Sequence, residues 1–100
     1  TNANCSFSNF YLADCNDANF TESNCTSASF AFSNCTNTNF KNADCSRSDF
    51  TKANCKRANF TNANCRRVYF SKANCTDADF TDANCIEAKF FGANWGCDRI

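Results

Sequence analysis

The sequence predicts an all-β solenoid: a square coil of four five-residue units, repeated as five stacked coils in a single domain over residues 1–100. Three observations carry this prediction. Of the twenty positions divisible by five, nine are Cys and nine are Phe, in strict alternation. Two residues before each such centre stands a small side chain, thirteen times Ala and four times Ser, and the residue directly before it is Asn or Asp at sixteen of twenty units. Gly occurs twice and Pro not at all, so the chain must turn without its usual turn formers.

A spacing of five fits neither regular period. On an α-helix five residues advance about 500°, so the centres would spiral around the cylinder and form no buried stripe. In one straight strand an odd spacing sends successive centres to opposite faces. The backbone must instead turn once per unit, always in the same sense, with the centre and the small residue two before it inside. Asn, Asp and Ser bond to their own backbone and tolerate unusual dihedrals, so they are expected to form the corners. Pure columns of one residue type need an even number of units per coil, and two units leave no room for a Phe ring. Four units give twenty-residue coils with Phe on two opposite faces and Cys on the other two, stacked at about 4.8 Å.

The predicted core is therefore Cys5, Cys15, Cys25, Cys35, Cys45, Cys55, Cys65, Cys75 and Cys85 together with Phe10, Phe20, Phe30, Phe40, Phe50, Phe60, Phe70, Phe80 and Phe90. Trp95 and Ile100 occupy the last two centres. With these residues in place the chain resembles the pentapeptide-repeat family, whose pattern is Ala-(Asp/Asn)-(Leu/Phe)-x-x and whose fold is a right-handed quadrilateral β-helix. The resemblance covers all twenty units and implies that handedness here. Cys at alternate centres, where Leu is usual, narrows the core on two faces that the Phe rings can fill. The best-understood members act as duplex-DNA mimics that bind DNA gyrase and protect it from quinolones or inhibit it as quinolones do. That activity goes with a long, strongly acidic rod, whereas this chain carries net charge zero. Gyrase binding is thus the alternative reading, with no residues assigned to it.

Composition excludes several other functions. No His is present, which removes His-based catalysis and His-containing metal sites. No apolar run reaches the roughly 20 residues of a membrane span, and no signal-peptide pattern opens the sequence. A disulfide ladder is excluded on geometry, because column neighbours about 4.8 Å apart exceed the usual 3.5 to 4.5 Å between bridged Cβ atoms. Identical thiols between Phe and Ala should be raised in pKa and make a poor metal site, so they read as small core hydrophobes. No catalytic group, metal or cofactor is expected. Cys97, two places after a centre, should point outward as a free thiol or an intermolecular link.

Function must then be written on the outside. Net charge runs −3 over residues 1–40, +6 over 41–72 and −3 over 73–100. The basic belt consists of Arg47, Lys52, Lys56, Arg57, Arg66, Arg67 and Lys72, with Lys41 at its margin. A twenty-residue coil sets Arg57 beside Asp77 and Arg67 beside Glu87, and stacks Arg47 on Arg67 and Lys52 on Lys72. These like-charge neighbours hint at a protein or anionic partner, while a single outward aromatic, Tyr69, argues against nucleic acid. Six Asn-x-Ser/Thr sequons, at Asn4, Asn19, Asn24, Asn34, Asn59 and Asn74, arise from the repeat itself.

Open solenoid ends are sheet edges. Both end coils carry extra apolar residues: Phe7, Tyr11 and Leu12 at the start, Ile86, Phe91 and Trp95 at the finish. Stacked head to tail, two copies would set Phe91 on Tyr11 and Ile100 on Phe20, with Cys97 as a further contact. The sequence therefore reads as a non-enzymatic structural rod that self-associates head to tail as a filament subunit. Its partner is itself, no membrane is involved, and an extracellular or cell-surface setting is favoured over the cytoplasm.

Overall fold

The computed structural model describes residues 1–95. Its backbone pairs with a period of twenty: each of fifteen isolated parallel bridges joins a residue to the one twenty places on, from Asn4–Asn24 to Asn74–Asn94. Bridged residues recur every five positions, so four units complete one turn. Face 1 comprises residues 3–5 and their equivalents every twenty residues; faces 2, 3 and 4 begin with residues 8–10, 13–15 and 18–20. A two-residue corner follows each face. Among the described residues each bridge involves one residue per coil, which reflects how little straight chain remains between corners.

A single unit shows why five residues suffice. The Ala53 amide donates to the Phe50 carbonyl at 3.0 Å and closes a corner. The Asn54 amide donates to Ser33 in one neighbouring coil at 2.9 Å, and the Cys55 and Arg57 amides donate to Asn74 and Thr76 in the other at 2.7 and 2.9 Å. Only the Lys56 amide lacks a backbone acceptor, and Asn54 Oδ1 accepts from it at 3.2 Å. The preference for Asn or Asp before each centre thus supplies the fifth acceptor of a backbone that must pair every buried donor. Among the described residues fifteen units show this bond. Units containing Ser29, Tyr69 and Lys89 do not.

The corners differ from the expectation that Asn, Asp and Ser would take the unusual dihedrals. Among the described residues the second corner residue has φ between +57° and +65° at eighteen non-glycine positions, including Phe7, Leu12, Phe32 and Arg47. Together with the bond from the third residue back to the centre, this is the pattern of a type II turn. Left-handed backbone costs a side-chain-bearing residue on the order of 1 kcal/mol. The bonds to both neighbouring coils impose that geometry whatever the side chain, so the position is free in sequence. Gly92, at φ +72°, is one occupant among many.

Inside, the Phe rings of face 2 stack at centroid spacings of 4.7–5.2 Å. Those of face 4 stack at 4.8–5.1 Å. The two stacks meet edge to face across the axis at 5.4–5.8 Å, an arrangement the ring quadrupoles favour. They fill the width that Cys leaves open. Phe30 through Phe70 and Cys25 through Cys75 are completely buried at every centre between them. Polar side chains inside are bonded: Thr38 Oγ1 donates to the Cys15 carbonyl at 2.7 Å, and Ser33 and Ser48 donate to Phe30 and Cys45 at 2.6 Å. Among the described residues no buried side-chain nitrogen or oxygen lacks a partner.

Candidate functional site

Outward positions are the residue before each centre and the two corner residues after it. The large exposed apolar side chains at these positions are not spread around the coil. Phe7 and Ile86 lie on the corner preceding face 2, Tyr69 lies on face 2, and Tyr11, Leu12, Phe32 and Phe91 lie on the corner following it. The same quadrant holds Arg47, Arg66, Arg67, Lys52, Lys72 and Lys89 against Asp49 and Glu87, a net of +4. Elsewhere on the described surface Lys41, Lys56 and Arg57 face seven acids, a net of −4. The rod is polarised across its axis as well as along it.

Contacts within the quadrant tie these groups together. Arg67 Nε donates to Glu87 Oε1 at 2.7 Å, holding the Glu87 carboxyl below its usual value and raising the guanidinium. Lys52 Nζ stands 5.3 Å over the Phe32 ring, and Tyr11 meets Phe32 edge-on at 5.6 Å. A shallow cavity of about 210 Å³ is lined by Arg67, Tyr69, Glu87 and Lys89, and one of about 130 Å³ lies beside Arg47, Arg66 and Arg67. The belt is thus divided. Lys56 and Arg57 sit on the corner after face 3, and Arg57 Nε donates to Asn37 Oδ1 at 3.0 Å, with no ion pair to Asp77.

Face 2 is also where the fifth acceptor is missing. Ser29, Tyr69 and Lys89 share one column, and Tyr69 is 51% exposed in it. The signal was present in the sequence, since three of the four exceptions stand at position 9 of their coils, but a charge tally taken along the axis hides it.

The residues expected at the ends are placed differently from one another. Phe7, Tyr11, Leu12, Ile86 and Phe91 stand on corners beside face 2, and Tyr11 already packs on Phe32 of its own chain. Trp95 continues the face 3 centre column, 5.2 Å from Phe90 and 5.7 Å from Phe80. With Ala78, Phe80, Cys85 and Phe90 it lines an apolar cavity of about 540 Å³. Cys97 and Ile100 lie outside the described residues.

The nine described cysteines are free thiols. Burial pushes Cys75 up to about 12, and a hydrogen bond with Cys35 together with burial raises Cys15. Half-buried Cys85 is held at about 7 by the hydrogen bond from the Cys65 thiol, which is itself raised. Among the described residues no group of three acidic or Cys side chains is arranged to hold a metal ion, and no helix is long and apolar enough to cross a membrane.

A family model described as pentapeptide repeats (8 copies) matches residues 1–31, 28–64 and 58–94. The chain belongs to the pentapeptide-repeat family. A search of curated proteins gives no significant match. Among solved structures, this pentapeptide-repeat protein is similar to one from the Arabidopsis thaliana thylakoid lumen, with TM-score 0.90 and 22% identity over 93% of this chain and 65% of the other. It is also similar to one from Nostoc PCC 7120, with TM-score 0.73 and 19% identity over 86% and 83%. A third, Rfr23 from Cyanothece 51142, gives TM-score 0.66 and 20% identity over 87% and 63%. The chain thus spans less than two thirds of the Arabidopsis protein's length, and at these identities the likeness is one of fold.

Proposed function

We propose that this pentapeptide-repeat protein is a non-enzymatic scaffold, a right-handed square β-helix of five coils of four units, that binds a protein partner through face 2 and its two corners. One observation carries the reading: the large exposed apolar side chains gather in that quadrant, whereas the outward residues of face 4, Asn19, Asn39, Asn59 and Asp79, follow the repeat. They form two clusters on one side of the rod, Phe7, Tyr11, Leu12 and Phe32 in the first two coils and Tyr69, Ile86 and Phe91 beyond residue 60; exposed apolar clusters mark interaction surfaces, and aromatic residues with Arg dominate the energetics of protein interfaces. A scaffold bonded at nearly every backbone amide gives up little entropy on binding. The filled tube offers shallow surface rather than a cleft for catalysis. Duplex-DNA mimicry would call for an acidic surface, and face 2 has the opposite sign.

A random-peptide display selection on the immobilised chain tests this. Enrichment should be abolished when Tyr69, Arg47, Arg67, Lys52 and Lys72 are replaced together. No enrichment, or enrichment indifferent to those replacements, overturns it. Head-to-tail association is a second reading, favoured by the apolar cavity among Phe80, Cys85, Phe90 and Trp95, which an added coil would fill. Light scattering against concentration should then show growth beyond the monomer, and monomer alone rejects it.

A further inference from the structure

We propose that the partner segment docked on face 2 is acidic and carries apolar side chains; the inference rests on the docking role of that face. Charge selects the class. Arg47 stacked on Arg67 borders one side of the face and Lys52 stacked on Lys72 the other, with Tyr69 between them and Phe32 below Lys52. Among the described residues only Arg67 of these four cations has an ion pair. Two pairs of like charge, held at the coil spacing by a rigid backbone, outnumber Asp49 and Glu87 beside them and so favour an entering anionic group. A second copy of this chain does not supply one. Face 2 against face 2 sets basic belt on basic belt, and the rest of the described surface, although net −4, has no large exposed apolar group to meet the aromatics.

Nucleic acid fits less well than an acidic polypeptide. Leu12 and Ile86 offer aliphatic surface that a phosphate chain does not cover, whereas apolar side chains of a polypeptide can. An extended acidic segment can place carboxylates on the Arg and Lys ladders and an aromatic or aliphatic side chain on Tyr69 and Phe32. Charge-assisted, bidentate contacts to Arg47 and Arg67 would fix its register. The position of Tyr69 supports the same conclusion. An Asn there would restore the acceptor that the Ser71 amide lacks, so the exposed aromatic stands in its place at the expense of a local bond.

Fluorescence anisotropy with four synthetic probes decides the question: a twelve-residue peptide of Glu with two Phe, the same peptide with Gln for Glu, the same with Ser for Phe, and an oligo-dT of equal length. The Glu/Phe peptide is expected to bind at least tenfold more tightly than each of the other three. Tyr69→Asn should weaken it at least fivefold without lowering the unfolding temperature, while Lys56→Ser with Arg57→Ser, on another corner, leaves it within twofold. Equal binding of the Gln peptide, still dependent on Tyr69, overturns the acidic class but leaves face 2 as a docking surface. Equal binding of oligo-dT or of the Ser peptide makes the surface a polyanion site and overturns the proposal. If Tyr69→Asn changes no peptide's binding, both the partner class and the docking face are rejected.

Discussion

Faces 2 and 4 turn the same side chain inward and stack it at nearly the same spacing, 4.7–5.2 Å against 4.8–5.1 Å. Outside they diverge. On face 4 the residue before every described centre accepts a corner amide, from Asn19 to Asp79. On face 2 only Asn9 and Asp49 do so, and Ser29, Tyr69 and Lys89 replace the others. The inward code and the outward code are therefore separable. Packing keeps Phe at every described centre of both faces, while the outer acceptor contributes a modest local bond that can be exchanged for a side chain with another use.

That separation is most severely tested in the core. Phe50→Ala and Phe60→Ala, on faces 2 and 4, should each cost about 3–5 kcal/mol in denaturant unfolding, because each empties a fully buried ring site in a stack. The two losses should agree within experimental error. A clear gap would show that the two faces are not equivalent inside.

The Cys faces extend the test to pH. Cys75 titrates near 12 when folded, against 9 for an ordinary thiol. Its folded value is raised, so its contribution is fully present below pH 9 and is lost as pH rises towards 12, by at most about 1.4 kcal/mol per pH unit. Unfolding midpoints followed over that window should fall, and Cys75→Ala should flatten the decline. Cys85, held at about 7, should react with a thiol reagent near neutral pH while Cys75 stays protected. Equal reactivity would mean that the coils open readily.

On the outside the faces should respond in opposite directions. Tyr69→Asn gives the Ser71 amide an acceptor and should stabilise by about 0.5–1.5 kcal/mol, whereas Asn59→Tyr removes the acceptor of the Thr61 amide and should destabilise by a similar amount. If both destabilise, Tyr69 is a packing residue. The smallest effect is expected for Glu87→Gln, because the pair with Arg67 is solvent-exposed and screened by salt. Its carboxyl lies below the usual 4.5, so the pairing is present above that pH and lost as pH falls through the lowered value. An NMR titration of Glu87 should show this shift, and Arg67→Ser should remove most of it, leaving the smaller effect of Arg66 and Lys89.

Much of the fold was legible in the residues. The alternation of Cys and Phe contained the twenty-residue coil, and the Ala two places before each centre marked the inner wall. The corner residue was not legible, because its dihedral is imposed by bonds to other coils and leaves no mark on its own identity: Phe7 and Asn62 adopt nearly the same φ, 60° and 57°. The candidate site was only half legible. Its cations and Tyr69 were visible as a belt and Phe7, Tyr11, Leu12, Ile86 and Phe91 as end residues, while Phe32 was not singled out; all belong to one quadrant, because residues twenty apart become neighbours and a linear tally averages over four faces.

By itself the sequence determined the repeat, the inward residues and the number of units per turn, because each is a matter of period and side-chain size. Only the tertiary structure decided which outward residues face the same way, why Asn precedes nearly every centre, and where that rule is relaxed. Those depend on hydrogen bonds and stacking between coils, which do not exist until the chain has closed its turns.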